Sequence, residues 1–302
     1  MSVLQQTKKR LSFRVRLLHA DRWLAAMLAS SQMTIWLYEF LRFGIKQAWA
    51  CLFGGAMVGL LLATHFWYPS WMPLARYDFL FVAAVGLQIA LLATRMETLE
   101  EAKVILVYHV VGTTVEIFKT SVGSWIYPEP NIFRIGGVPL FTGFMYSCIG
   151  SYLCRVWRLF DFRFDHHPPL WAMSILSIAI YINFFAHHYI LDFRIALFAV
   201  SIALLAQTKI YFRVWITYRS MPLLLGLILV SLFIWLSENI GTYTKTWLYP
   251  AQLHGWSMVS ISKLGSWYLL LIISYTLVSL ITKPQPMQPE LEQQSDSEKE
   301  VH

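Results

Sequence analysis

From Leu223 to Leu236 the chain carries no charged residue and no proline. Similar runs recur along it, and several approach the ~20 residues that an apolar helix needs to cross a bilayer. These runs constrain the fold more than any other feature. Barrel strands would show weak alternation over about ten residues, whereas these runs are continuous, so they predict helices. The expected fold is all-α: a polytopic transmembrane bundle of about eight spans. They fall at roughly 45–66, 77–94, 103–120, 138–158, 170–188, 192–210, 221–240 and 263–282. Composition agrees. Only 14% of the residues are charged and 57% are hydrophobic, against about a quarter charged in a soluble domain.

The formal charge of +7 does not point to nucleic acid, because its distribution follows the spans. Lys8, Lys9, Arg10, Arg14, Arg16 and Arg22 crowd the N-terminus. Arg155, Arg158 and Arg163 follow the fourth span, and Lys209, Arg213 and Arg219 the sixth. With eight spans these groups share one side, which the positive-inside rule assigns to the cytoplasm together with both termini. Residues 1–44 are expected to form a basic arm and an interfacial amphipathic helix, the latter over Leu24 to Phe43. Residues 45–282 form the transmembrane domain. Residues 283–302, rich in proline and acid, form a disordered cytoplasmic tail. The expected location is a bacterial inner membrane, and the expected partners are membrane lipids and a hydrophobic or small-molecule substrate. Small-residue pairs, Gly55 with Gly59 and Gly143 with Ser147 and Ser151, are expected to face neighbouring helices. Cys51, Cys148 and Cys154 make no metal spacing and no disulfide framework. No motif specifies a cofactor.

One pattern occurs twice. Glu116, Trp125, Tyr127 and Pro128 match Glu238, Trp247, Tyr249 and Pro250 at the same spacings. Trp, Tyr and Pro at a span end have a simple reading as an interfacial belt, like Trp67-Tyr68-Pro69 after the first span. That reading leaves the two acids unexplained, since a carboxylate near an apolar run is expensive. His109, Gly112, Thr113, Glu116, Lys119 and Thr120 share one helical stripe, and Ser231, Trp235, Glu238 and Thr242 another, with Asn239 beside it. His187, His188 and Asp192 reach the same level. Glu116, Glu238, His187 and His188 are therefore the candidate catalytic groups. His109, Lys119, Asp192, Asn239, Trp125, Tyr127, Trp247 and Tyr249 are the candidate binding groups, and no metal site is expected. The plainer alternative for Glu116 is an ion pair with Lys119, and for the two histidines an exposed loop pair. Such a set suits a membrane enzyme doing acid–base chemistry on a lipid or isoprenoid. It also suits a proton- or cation-coupled transporter or permease. A structural or accessory subunit is the third reading.

The runs Val115 to Glu129 and Gly136 to Tyr146 resemble an uncharacterised family of bacterial integral membrane proteins, domain-of-unknown-function family 817, which includes YoaT-like proteins. That resemblance implies the membrane class and brings no activity. A fainter likeness runs to membrane carotenoid-modifying enzymes, lycopene cyclases and carotenoid hydratases, through Glu116, Trp125, Tyr127 and Gly137-Val138-Pro139. It implies that an acid protonates an isoprenoid double bond. The cyclases' paired acids are absent, since Leu140 and Phe141 follow Pro139.

Overall fold

A computed structural model describes residues 32–215 and 217–289. The basic arm and the acidic end of the tail lie outside the described residues. Among those described, the chain is mostly helical, with nine α-helices: α1 (Gln32–Ala50), α2 (Leu52–Trp67), α3 (Arg76–Ala93), α4 (Leu99–Ser121), α5 (Phe141–Phe160), α6 (Leu170–Ala186), α7 (Arg194–Leu205), α8 (Leu223–Tyr243) and α9 (Ser262–Thr282). Each of the eight expected stretches holds a helix. Helices α3, α8 and α9 are each long and apolar enough to cross a membrane, and α1 with α2 would make a fourth if that bent pair counts as one span. These helices point to a membrane location.

Three details differ from the sequence expectation. The first expected span is not straight, because α1 and α2 meet at Cys51 with a bend of 69°. Cys51 departs from helical geometry there, with ψ at 4°. The sixth is short. Its helix α7 has 12 residues, about 18 Å at ~1.5 Å per residue. The chain then leaves the helix to build a three-stranded antiparallel sheet from β1 (Arg163–Asp165), β2 (Lys209–Arg213) and β3 (Tyr218–Pro222). Arg155 is also not a loop charge. It sits inside α5, fully buried, and pairs with Glu97 at 3.0 Å. Ser151 Oγ and Gln88 Nε2 donate to the same carboxylate, so the pair is satisfied where an unpaired charge would be costly.

The first residues of α4 show how sequence sets an element. Thr98 caps the helix by accepting from Glu101 N at 3.2 Å, and the Glu101 side chain accepts from Thr98 N at 2.8 Å. This reciprocal box satisfies two donors that a helix start leaves open. Helices α4 and α5 then lie so close that a Cβ on Gly112 would meet the Tyr146 ring, and one on Gly143 would meet His109 and Thr113. Ser147 Oγ donates to Ile105 O across this seam. Gly143, Ser147 and Ser151 thus form the expected packing face. Gly55 and Gly59 do not: both are exposed and nothing lies within 4 Å of their Cβ positions. Helix α2 is turned so that Phe53, Met57 and Leu61 face inward instead.

Candidate functional site

Helices α4 and α8 end alike. In α4, Val122 N, Gly123 N and Ser124 N bond to Phe118 O, Thr120 O and Lys119 O. In α8, Thr244 N, Lys245 N and Thr246 N bond to Ile240 O, Thr242 O and Gly241 O. The turn needs a left-handed residue, supplied by Gly123 at φ +72° and by Lys245 at φ +55°. After the turn each chain extends, and the two extended pieces meet. Ile126 and Leu248 exchange backbone bonds of 2.9 and 3.0 Å in an antiparallel bridge. The repeated sequence motif is therefore a repeated structure, with its two copies joined back to back.

Aromatic donors cover each glutamate, drawn wholly from the motif and α5 for Glu116 and partly from α9 for Glu238. Glu116 accepts from Trp125 Nε1 at 2.6 Å and from Tyr127 Oη on the same oxygen. Its other oxygen accepts from Tyr146 Oη of α5 at 2.8 Å. Glu238 accepts from Tyr249 Oη on one oxygen and from Trp267 Nε1 of α9 at 2.5 Å on the other. Both glutamates are buried. These donor cups stabilise a buried carboxylate.

The cups open into one cavity of about 950 Å³, lined by both glutamates. Its wall follows α5 from Thr142 to Phe160, a run of about 27 Å at 1.5 Å per residue. Opposite, α8 lines it from Leu223 to Glu238. Apart from the end that holds the glutamates, the lining is chiefly aliphatic and aromatic. The bundle is also open sideways here. Cys51 and Gly55 on one flank, and Leu229 and Phe233 of α8 on the other, line the cavity and are exposed at the outer surface of the bundle. Phe233 is 68% exposed.

Glu116 is not paired with Lys119. Lys119 Nζ donates to Phe184 O at 2.8 Å and to His188 Nε2 at 2.9 Å, across the cavity mouth. His188 lies in the loop after α6. Burial lowers its pKa, and the charges of Lys119, His187 and Lys263 lower it further, which fits an imidazole that accepts from an ammonium.

The cavity thus gathers Glu116, Glu238, Lys119, His187, His188, Trp125, Tyr127, Trp247 and Tyr249. Three candidates stay outside it. His109 faces α5, its ring 4.5 Å from that of Phe144. Its Nδ1 is buried without a partner among the described residues. Asn239 ties two segments together by donating to Trp235 O and accepting from Val259 N. Asp192 accepts from Asn183 Nδ2 and Arg194 N. Burial pushes the Asp192 carboxyl up, but those bonds and the Arg194 charge outweigh it and hold the pKa down.

Residues 39–275 match the family described as a protein of unknown function, DUF817. The chain belongs to this family. The uncharacterized protein YoaT of Bacillus subtilis (strain 168) is 38% identical over 257 residues, covering 83% of this chain and 94% of that protein. No solved structure matches. The DUF817 match spans both glutamate cups and nearly all of α5 to α9, so the cavity lies within the matched region.

Sequence reasoning missed Tyr146, Trp267 and Lys263. A signal was present. Each motif is followed by a helix that brings an aromatic donor near its start: Tyr146 stands 30 residues after Glu116 and Trp267 stands 29 after Glu238. Extending the repeat past its prolines would have found both.

Proposed function

We propose that this chain is an inner-membrane enzyme that acts on a lipid or isoprenoid by acid–base chemistry at Glu116 and Glu238. The sideways opening between α2 and α8 carries this reading. A water-soluble solute calls for an aqueous vestibule. A hydrocarbon chain calls for an apolar slot reached from the bilayer, ending at polar groups. Glu238 has two donors rather than three and fits the role of general acid. It would deliver a proton to the substrate and regain one through Lys119, His188 and His187 at the mouth. Glu116, with all its donors engaged, fits a fixed charge that stabilises a developing cation.

In this reading all eight helices from α2 to α9 belong to the membrane domain, the glutamate end faces outward and both termini are cytoplasmic. Cysteine substitutions at Pro130 and Gln288 test that arrangement. An impermeant reagent on intact cells should label position 130 and spare 288, and the reverse pattern overturns it.

The activity is tested by comparing lipid extracts from cells that lack the chain, carry it, or carry Glu238→Gln. A lipid or isoprenoid species should change with the native chain and not with the variant. A variant that produces the full native change overturns the catalytic role.

The back-to-back motif copies favour a second reading as a proton-coupled transporter, since parallel repeats are a transporter design. Proton uptake on substrate addition to sealed vesicles, without chemical change of the substrate, would select it.

A further inference from the structure

Lys119 and Lys263 hold positive charge at the polar end of an otherwise apolar cavity, and among the described residues neither touches a carboxylate. Lys119 is only 3% exposed. Its contacts are a carbonyl oxygen, a neutral imidazole nitrogen and the face of Phe184 at 4.1 Å. Lys263 Nζ lies 4.5 Å from the centre of the Tyr249 ring and 5.9 Å from that of Trp125. The nearby acids direct their oxygens to other donors. Glu116 is filled by three donors, Glu238 by two, and Asp192 by Asn183 and Arg194. A buried ammonium with no carboxylate in direct contact, as at Lys119, is costly. Two at one end of one cavity point to an anion that arrives with the ligand.

The remaining wall defines the rest of that ligand. Beyond the lysines the lining is apolar for about 27 Å along α5, close to the ~30 Å thickness of the hydrocarbon core. The volume of about 950 Å³ lies near the upper end of small-molecule sites, where about 300–1,000 Å³ is usual. We infer that the cavity binds a long-chain amphiphile with one anionic head group, the head between Lys119 and Lys263 and the tail along the channel between α5 and α8. This rests on the cavity being a lipid site, and it adds the charge of the substrate. The tail passes in through the opening beside Gly55 and Phe233, so the head need not cross the bilayer. Lysine acts as a point charge toward phosphate and carboxylate alike, and the shared chemistry is a single-chain anion.

The test compares hexadecyl phosphate with hexadecanol on the purified full chain in nanodiscs. The phosphate should bind roughly thirtyfold tighter or more, a preference of the size expected for a desolvated charge pair. Lys119→Met and Lys263→Met should each reduce it, and Lys263→Arg should keep it. Inorganic phosphate in excess should not displace the amphiphile. Equal binding of both compounds, or a preference that survives in the double Met variant, overturns the anionic head while leaving the lipid site standing, and displacement by inorganic phosphate overturns the amphiphile, because the anion alone then suffices. Binding of neither compound overturns both.

Discussion

The two glutamate cups share a sequence pattern, a helix-ending turn and a joining bridge, yet they differ at the residue three past the glutamate. In the first cup this is Lys119, and in the second it is Gly241. A Cβ at Gly241 would lie 2.1–2.7 Å from the Trp247 indole, so Trp247 occupies the space that a side chain would fill. Trp247 therefore packs on its own helix, whereas Trp125 turns in to donate to Glu116. The second cup takes its indole donor from Trp267 of α9 instead. The difference teaches how one motif yields two roles. The first cup is closed by three donors and sends a lysine across the cavity mouth. The second has one donor fewer and faces Lys263, which suits the acid that gives up its proton.

The largest test of this contrast is charge removal. Glu238→Gln should lower activity, read as the lipid change in cell extracts, by about 10²–10⁴-fold with folding retained. Glu116→Gln should lower activity and also melt earlier, because one amide oxygen replaces a carboxylate that holds three donors and the amide N–H₂ must face at least one of them. Lys119→Met should not restore that stability, since Lys119 is not the partner of Glu116. Equal melting temperatures for the two Gln variants would break the contrast. Next comes Gly241→Ala. It forces the Trp247 ring or the α8 backbone to shift, at about 1–3 kcal/mol, measurable as a drop in melting temperature. Lys119→Ala has no such clash, and a neutral Gly241→Ala would remove the stated reason for the difference.

A smaller effect separates the tyrosines. Tyr127→Phe and Tyr249→Phe each remove one donor, about 1 kcal/mol by thermal melting. Tyr249→Phe leaves Glu238 a single donor and should cost more activity, and the opposite ranking would assign the acid to Glu116. The smallest contrasts the cavity's polar end with the sheet at the other. Partial burial pushes the Asp161 carboxyl up, but Tyr218 Oη and the Arg163 and Arg213 guanidiniums outweigh it and hold its pKa below the usual value. A depressed carboxyl contributes stability above its unfolded pKa and loses it as the pH falls through its folded value. The native chain should thus lose a small increment of stability below about pH 4, and Asp161→Asn should lack that increment. An unchanged acid profile in the variant would rule out this contribution.

Much of the fold was legible. Eight apolar stretches became helices because burying or spanning apolar surface fixes where helices can lie. The repeated Glu, Trp, Tyr and Pro pattern was legible as well, because a buried carboxylate is rare enough to stand out. Less was legible at the ends of helices. The apolar run past Leu205 continues as Ile210, Tyr211 and Phe212, and hydropathy alone does not separate a buried strand from the end of a span. The charge of Arg155 read as a topology signal because its partner Glu97 lies 58 residues away, visible only once α5 packs beside the start of α4.

The sequence by itself determined the helical class, the apolar runs that point to a membrane, the family and the two acids with a tyrosine at fixed spacing, because each depends on local composition and periodicity. Only the tertiary structure decided that the two motifs join through Ile126 and Leu248, that Tyr146 and Trp267 complete the cups, and that Lys119 turns from Glu116 to His188. Those outcomes depend on which helices pack side by side and on the space a glycine leaves for an indole, and no spacing along the chain encodes either.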